Sequence, residues 1–124
     1  MITPIDRERL GSATSAHEVT GRVFEHHLGA FAEGLAAVMS DYDGASILVT
    51  PERIYRGLDE IRDFFQMFMG GATPEFWEAF TIRAKVVEGE VAYLVWDSQP
   101  QVALATDTLV VRNGKIAVHT FTSN

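Results

Sequence analysis

Two consecutive segments near the C-terminal end, Val91 to Ser98 and Val102 to Arg112, carry apolar residues at both odd and even positions, and this constrains the fold more than any other feature. Alternate side chains of a strand point to opposite faces, so a strand apolar on both parities needs cover on both sides. The segment before them differs. Phe80, Ile82, Ala84 and Val86 alternate with Thr81, Arg83, Lys85 and Val87, which predicts a strand with one buried and one mostly wet face. Glu88-Gly89-Glu90 turns it into the next strand, and Asn113-Gly114 turns the third into a fourth that runs to Phe121. One cover for this sheet is the chain's own helices. The other is expected to be a second copy of the chain, making a homodimer through the outer sheet face.

The helices are legible upstream. Val19, Val23, Phe24, Leu28 and Phe31 fall at helical spacing from His17 to Phe31, with His27 on the stripe and His26 beside it, solvated. Gly34 ends that helix, and Leu35, Val38, Met39 and Tyr42 predict a short second one stopping near Gly44. Ser46 to Thr50 reads as a short strand closed by Pro51, and Ile54-Tyr55 as another before Gly57. From Leu58 to Met69, Leu58, Ile61, Phe64, Phe65, Phe68 and Met69 form one wide apolar face opposite Asp59, Glu60, Arg62 and Asp63. Gly70-Gly71 ends this helix, and a loop follows through Pro74. Residues 1–15 lack periodicity and are expected as an N-terminal arm, leaving 16–124 as one domain. Helices followed by a long antiparallel sheet make an α+β chain.

Composition narrows the function classes. The net charge is -7, with ten Lys plus Arg and no basic cluster, which disfavours phosphate backbones and anionic lipid, so neither nucleic acid nor membrane is an expected partner. The absence of cysteine excludes disulfides, thiolate nucleophiles and Cys-type zinc. Asp6, Arg7, Glu8 and Arg9 interrupt the first ten residues, so no signal peptide or anchor is expected there, and the expected compartment is the cytoplasm.

The residues able to carry chemistry lie mainly in the closing hairpin. Asp107 shares a strand face with Ala103, Ala105, Leu109 and Val111, and burial in such a place disfavours an ionised carboxylate unless it is compensated. It is either a pocket carboxyl or one tied to the hydroxyls of Thr106, Thr108 or Thr120. His119 depends on the turn. A two-residue loop pairs Arg112 with Lys115, sets Asp107 against Thr120 and sends His119 to the other side. A three-residue loop with a bulge at Gly114 sets Asp107 against His119, where the two form an acid-base pair. His27 is a satisfied core histidine or a ligand contact. Asp97 is a second pocket carboxylate or a residue at a fraying strand end. His27, His119 and Asp107 can be drawn as a two-histidine, one-carboxylate metal set, but no spacing demands one, and neither metal nor cofactor is expected. Phe31, Tyr42, Tyr55 and Phe65 are candidate pocket walls, as are Phe68, Trp96 and Phe121.

Three stretches carry a resemblance. Val23-Phe24-Glu25-His26-His27-Leu28-Gly29-Ala30-Phe31, Tyr55-Arg56-Gly57-Leu58-Asp59-Glu60-Ile61-Arg62-Asp63-Phe64-Phe65 and the hairpin from Asp107 to Phe121 together resemble the nuclear-transport-factor-2-like superfamily, in its SnoaL-like and ketosteroid-isomerase-like branch. The resemblance implies a cone: a curved antiparallel sheet wrapped around a long N-terminal helix, with an apolar ligand pocket inside. It implies a small hydrophobic ligand, and a cofactor-free isomerase, cyclase or dehydratase acting on a carbonyl-bearing molecule. The alternative is a non-catalytic ligand-binding or dimerisation module. It implies catalytic roles for Asp107, His119 and His27, with Asp107 held neutral to donate to the substrate oxygen and His119 moving the proton, and it favours the hairpin register that turns His119 inward. One position departs from ketosteroid isomerases: Thr50 precedes Pro51 where they carry a general-base aspartate, so any base here is His119, Asp107 or His27.

Overall fold

The computed structural model describes the backbone of residues 4–124 and the side chains from Ala16 onward. Helix α1 (Pro4–Ala30) and the short α2 (Leu35–Met39) come first, then strands β1 (Ile47–Val49) and β2 (Ile54–Arg56). Helices α3 (Gly57–Gly71) and α4 (Pro74–Ala79) lead into β3 (Phe80–Glu88), β4 (Val91–Ser98), β5 (Val102–Arg112) and β6 (Lys115–Ser123). The strands form one curved, unclosed sheet of six in the order β2-β1-β6-β5-β4-β3. Helix α1 packs on β3, β4 and β5, and α3 packs on β1 and β2, so the helices share one face of the sheet. Phe24, Leu48, Ile61, Leu109 and Ile116 are fully buried between the layers. This is the expected α+β architecture.

Three expectations are corrected. Helix α1 begins at Pro4, inside the stretch expected as an arm, whose first three residues lie outside the described ones. Proline at the first helical position, followed by Asp6 and Glu8, is a helix-start signal that needs no apolar stripe. The expected loop through Pro74 contains helix α4. Thr73 caps it, its Oγ1 accepting from the Phe76 N–H at 3.1 Å, with Pro74 just inside. Finally, the sheet is mixed: β1 runs parallel to β6, pairing Ile47, Leu48 and Val49 with Val118, His119 and Thr120.

The closing hairpin matches neither anticipated register. Asn113 (φ 52°) and Gly114 (φ 74°) both occupy the left-handed region, as a two-residue type I′ loop requires, and Arg112 pairs with Lys115. Val111 then pairs with Ile116, but Val110 pairs with Val118, leaving Ala117 as an extra residue in β6. Beyond this bulge Leu109 pairs with His119 and Asp107 with Phe121. His119 and Asp107 therefore share a face after all, through a bulge in mid-strand rather than at the turn.

The bulge has a visible cause. Ile116 is held by the loop after α2: its N–H donates to the Asp41 carbonyl at 2.7 Å, and its carbonyl accepts from Ser46 Oγ at 2.6 Å. Lys115 Nζ reaches the Ser40 carbonyl at 2.8 Å. Downstream, β1 fixes Val118 to Thr120, so Ala117 absorbs the offset between two anchored segments. Ser46→Ala is expected to lower the unfolding free energy by about 1 to 3 kcal/mol, because a buried carbonyl loses its donor. Urea denaturation measures this, and a change close to zero would mean the clamp is dispensable.

On the outer face, Val86 (50% exposed), Val91 (40%) and Tyr93 (38%) lie open on adjacent strands, so β4 is covered by helices on one side only within a single chain. Among the described residues no helix is long and apolar enough to cross a membrane.

Candidate functional site

Between the helices and the sheet lies a cavity of about 470 Å³. Helix α1 contributes Phe24, His27 and Leu28, the turn just after it Phe31, helix α3 Phe64, Phe65 and Phe68, and α4 Trp77. The sheet presents Ile82, Leu94, Trp96 and Leu109 together with Asp107, His119 and Phe121. The polar groups of the sheet floor, Trp96, Asp107 and His119, are bonded to one another.

Asp107 is the centre of that group. Its side chain is 15% exposed and accepts from Trp96 Nε1 at 2.8 Å on Oδ2, while Oδ1 lies 2.6 Å from His119 Nε2. The other nitrogen of His119, Nδ1, lies 2.7 Å from the Tyr42 hydroxyl. Burial holds the Tyr42 phenol well above its ordinary range, with the Asp107 and Asp41 carboxylates adding to the effect. The phenol therefore stays protonated and donates to Nδ1, leaving Nε2–H to donate to Asp107. Tyr42, His119, Asp107 and Trp96 form one chain of hydrogen bonds crossing from the helix side to the middle of the sheet.

With His119 Nε2–H and Trp96 Nε1–H donating to it, an Asp107 carboxylate keeps further lone pairs for the cavity. His119 is 2% exposed with both nitrogens engaged, one by the Tyr42 hydroxyl and one by Asp107. The hydroxyls considered as partners for Asp107 face away, Thr108 and Thr120 pairing with each other on the opposite side. Ala105 is buried on the inner face, but Ala103 is exposed.

His27 belongs to a second polar group that sequence reasoning missed. Asp41, 6% exposed, accepts from His26 Nδ1 at 2.7 Å and from His27 Nδ1 at 3.3 Å. His27 Nε2 has no partner among the described residues and borders the cavity, where the ring stands edge-on to Phe31 and to His119. His26 is 45% exposed, so a buried carboxylate links a solvent-facing imidazole to a cavity-facing one. The only sequence signal for Asp41 is its place between Ser40 and Tyr42 where the second helix ends. An acid in a loop is ordinarily read as solvated.

Burial pushes the His27 imidazole below its ordinary value. The Asp41 hydrogen bond opposes the shift, and His119 reinforces it. The folded chain then binds fewer protons than the unfolded one between that lowered value and about pH 6.5, so stability is full above this window and is lost as pH falls through it. The slope can reach at most one proton's worth, about 1.4 kcal/mol per pH unit. His27→Gln should flatten it in urea titrations across the window, and an unchanged slope would assign the effect to another group.

Of the other anticipated residues, Phe31, Phe65, Phe68, Trp96 and Phe121 line the cavity. Tyr42 and Tyr55 do not. The Tyr42 ring faces a separate groove between α2 and α3, and Tyr55 packs against Phe64 beneath the Arg53 guanidinium. Asp97 is outside as well: it is 6% exposed on the opposite sheet face, where it accepts from Arg83 Nε at 2.5 Å. Among the described residues no cluster of three or more His, Cys, Asp or Glu side chains could hold a metal.

No protein-family model matches the sequence, and no curated protein matches it either. Solved structures do match in shape. An NTF2-like protein of unknown function from Burkholderia xenovorans LB400 aligns at a TM-score of 0.70 with 18% identity, over 88% of this chain and 85% of that one. The fold is NTF2-like. A SnoaL-like protein of unknown function from Burkholderia thailandensis E264 aligns at 0.67 with 11% identity, over 86% of this chain and 95% of its own. A de novo designed protein with a curved β-sheet aligns equally well, at 0.67 with 17% identity over 86% of both chains. An NTF2-like shape thus arises without any inherited activity, and function has to be argued from the cavity.

Proposed function

We propose that this chain binds a small hydrophobic molecule in the aromatic cavity and acts on it by proton transfer without a cofactor, Asp107 being the proton acceptor. The observation that carries this reading is a carboxylate inside an apolar cavity whose two oxygens are each held by a fixed donor, Trp96 Nε1 and His119 Nε2. Those donors favour the ionised carboxylate and fix the direction of its remaining lone pairs, which positions it to accept a proton at some cost in basicity. At about 470 Å³ the cavity is in the range of small-molecule sites, which begin near about 300 Å³. A carbonyl-bearing ligand, as the resemblance implies, would need a protonated Asp107 as its donor, because the Trp96 and His119 N–H groups are bonded to Asp107.

A second reading, a binding module without turnover, is favoured by one observation: both nitrogens of His119 are engaged, so the proton relay ends inside the protein. Thermal-shift screening with hydrophobic phenols, ketones and acids tests both. A ligand at 100 times its Kd stabilises by about 2.7 kcal/mol. Exchange of ligand hydrogens for solvent deuterium, lost in Asp107→Asn, would establish proton transfer. Binding without exchange would leave the module, and no shift across the panel would overturn both readings.

The assembly is proposed to be a homodimer through the outer sheet face. Val86, Val91 and Tyr93 form a continuous apolar strip there, with Thr108 beside Tyr93 on the next strand. Tyr93→Lys is expected to convert a dimer to a monomer in sedimentation velocity by placing a charge in the middle of the buried patch. A wild-type monomer at high concentration would remove the proposal.

A further inference from the structure

The polar groups facing the cavity are acceptors, and this sets the chemistry of what can enter. Around the floor, each donor is already assigned. Trp96 Nε1–H and His119 Nε2–H point at Asp107, the Tyr42 O–H points at His119 Nδ1, and His27 Nδ1–H points at Asp41. Two sets of lone pairs remain open to the cavity. One is on the Asp107 carboxylate, which accepts one protein hydrogen bond per oxygen and has room for more. The other is His27 Nε2, whose ring is placed by Asp41 with its free edge at the cavity. The rings of His27 and His119 lie 5.7 Å apart, so both acceptors serve the same end of the cavity.

Resting on the proposed reading of the cavity as a ligand site, we infer that it takes a flat aromatic molecule whose polar end is a hydrogen-bond donor, a ring hydroxyl or ring N–H, received by Asp107 and His27. A ligand that offers only a carbonyl or ether oxygen sets lone pair against lone pair and leaves the floor unsatisfied. A carboxylic acid in its ionised form meets a second negative charge at short range in a low-dielectric space. The remaining wall selects the skeleton. Phe31, Phe65, Phe68, Trp77 and Phe121 present ring faces and edges, which suit another ring system. Trp77 (38% exposed) and Ile82 (42%) stand where the cavity meets solvent, so a planar molecule enters with its donor leading.

Calorimetric titration of the full chain with four probes on one skeleton tests this: 2-naphthol, 2-methoxynaphthalene, 2-naphthaldehyde and naphthalene. The expected result is that 2-naphthol binds about tenfold or more tightly than the other three, the difference being a charge-assisted hydrogen bond that only it can make. In Asp107→Asn an amide N–H becomes available to the cavity, so the preference should shift toward 2-naphthaldehyde. Comparable affinity for all four would overturn the donor requirement while leaving the cavity a ligand site. Tighter binding of the aldehyde by the wild type would show that a donor faces the cavity, and would overturn it too. No binding of any probe would remove both this inference and the reading beneath it. The wild-type series decides the matter even if the Asn variant does not fold.

Discussion

His119→Ala is expected to lower the unfolding free energy by about 2 to 4 kcal/mol, a large effect for a polar residue. The ring is 2% exposed and sits between two polar partners, the Tyr42 hydroxyl at 2.7 Å and Asp107 Oδ1 at 2.6 Å. Its removal strands both. The phenol is fully enclosed, so the whole penalty of a lost partner falls on it, about 1 to 3 kcal/mol. The carboxylate borders the cavity and can recruit water, which reduces its share. A double-mutant cycle with Tyr42→Phe separates this from simple loss of packing. Tyr42→Phe removes the hydroxyl that His119→Ala would strand, so the two changes together should cost less than their sum by about 1 kcal/mol or more. Additive losses in urea denaturation would mean that the hydrogen bond between them contributes little.

The largest loss is expected from Ile61→Ala, about 2 to 5 kcal/mol. Ile61 is 0% exposed at the centre of the apolar face of α3, where the helix packs on β1 and β2. Truncation there leaves a void between rigid elements that cannot close it, so cavity cost adds to lost burial. The matched control is Met67→Ala on the same helix. Met67 is 68% exposed, and its truncation should fall within about 0.5 kcal/mol of zero. Because α3 also supplies Phe64, Phe65 and Phe68 to the cavity, Ile61→Ala should weaken ligand binding as well. Equal effects at the two positions would contradict the assignment of the buried face.

Helix α3 shows why much of the fold was legible. Its apolar residues recur at the helical period, and a helix decides its own face from residues three and four apart. Within β5, parity alone put Asp107 on one face with Ala105 and Leu109, both of which are buried. Helix α4 was missed although Thr73-Pro74 is a local start signal, because six residues are too few for a period to register. Asp41 was missed for a different reason. Its burial follows from the packing of α2 against α1 and α3, and nothing in its neighbours encodes that.

The sequence by itself determined the elements, the apolar stripe of α1 that carries His27, and the face of β5 that carries Asp107, since each is a matter of spacing along a short stretch. Tertiary structure alone decided that His119 joins Asp107. Strand parity propagates only while the ladder is unbroken, and one extra residue, Ala117, inverts it. That residue bulges because Ile116 is tied to Asp41 and Ser46, the latter 70 positions away along the chain, while Val118 to Thr120 are tied to β1. Two anchors set by distant segments fix the distance between them. The strand accommodates the mismatch by bulging, and the site forms on the side where the imidazole lands.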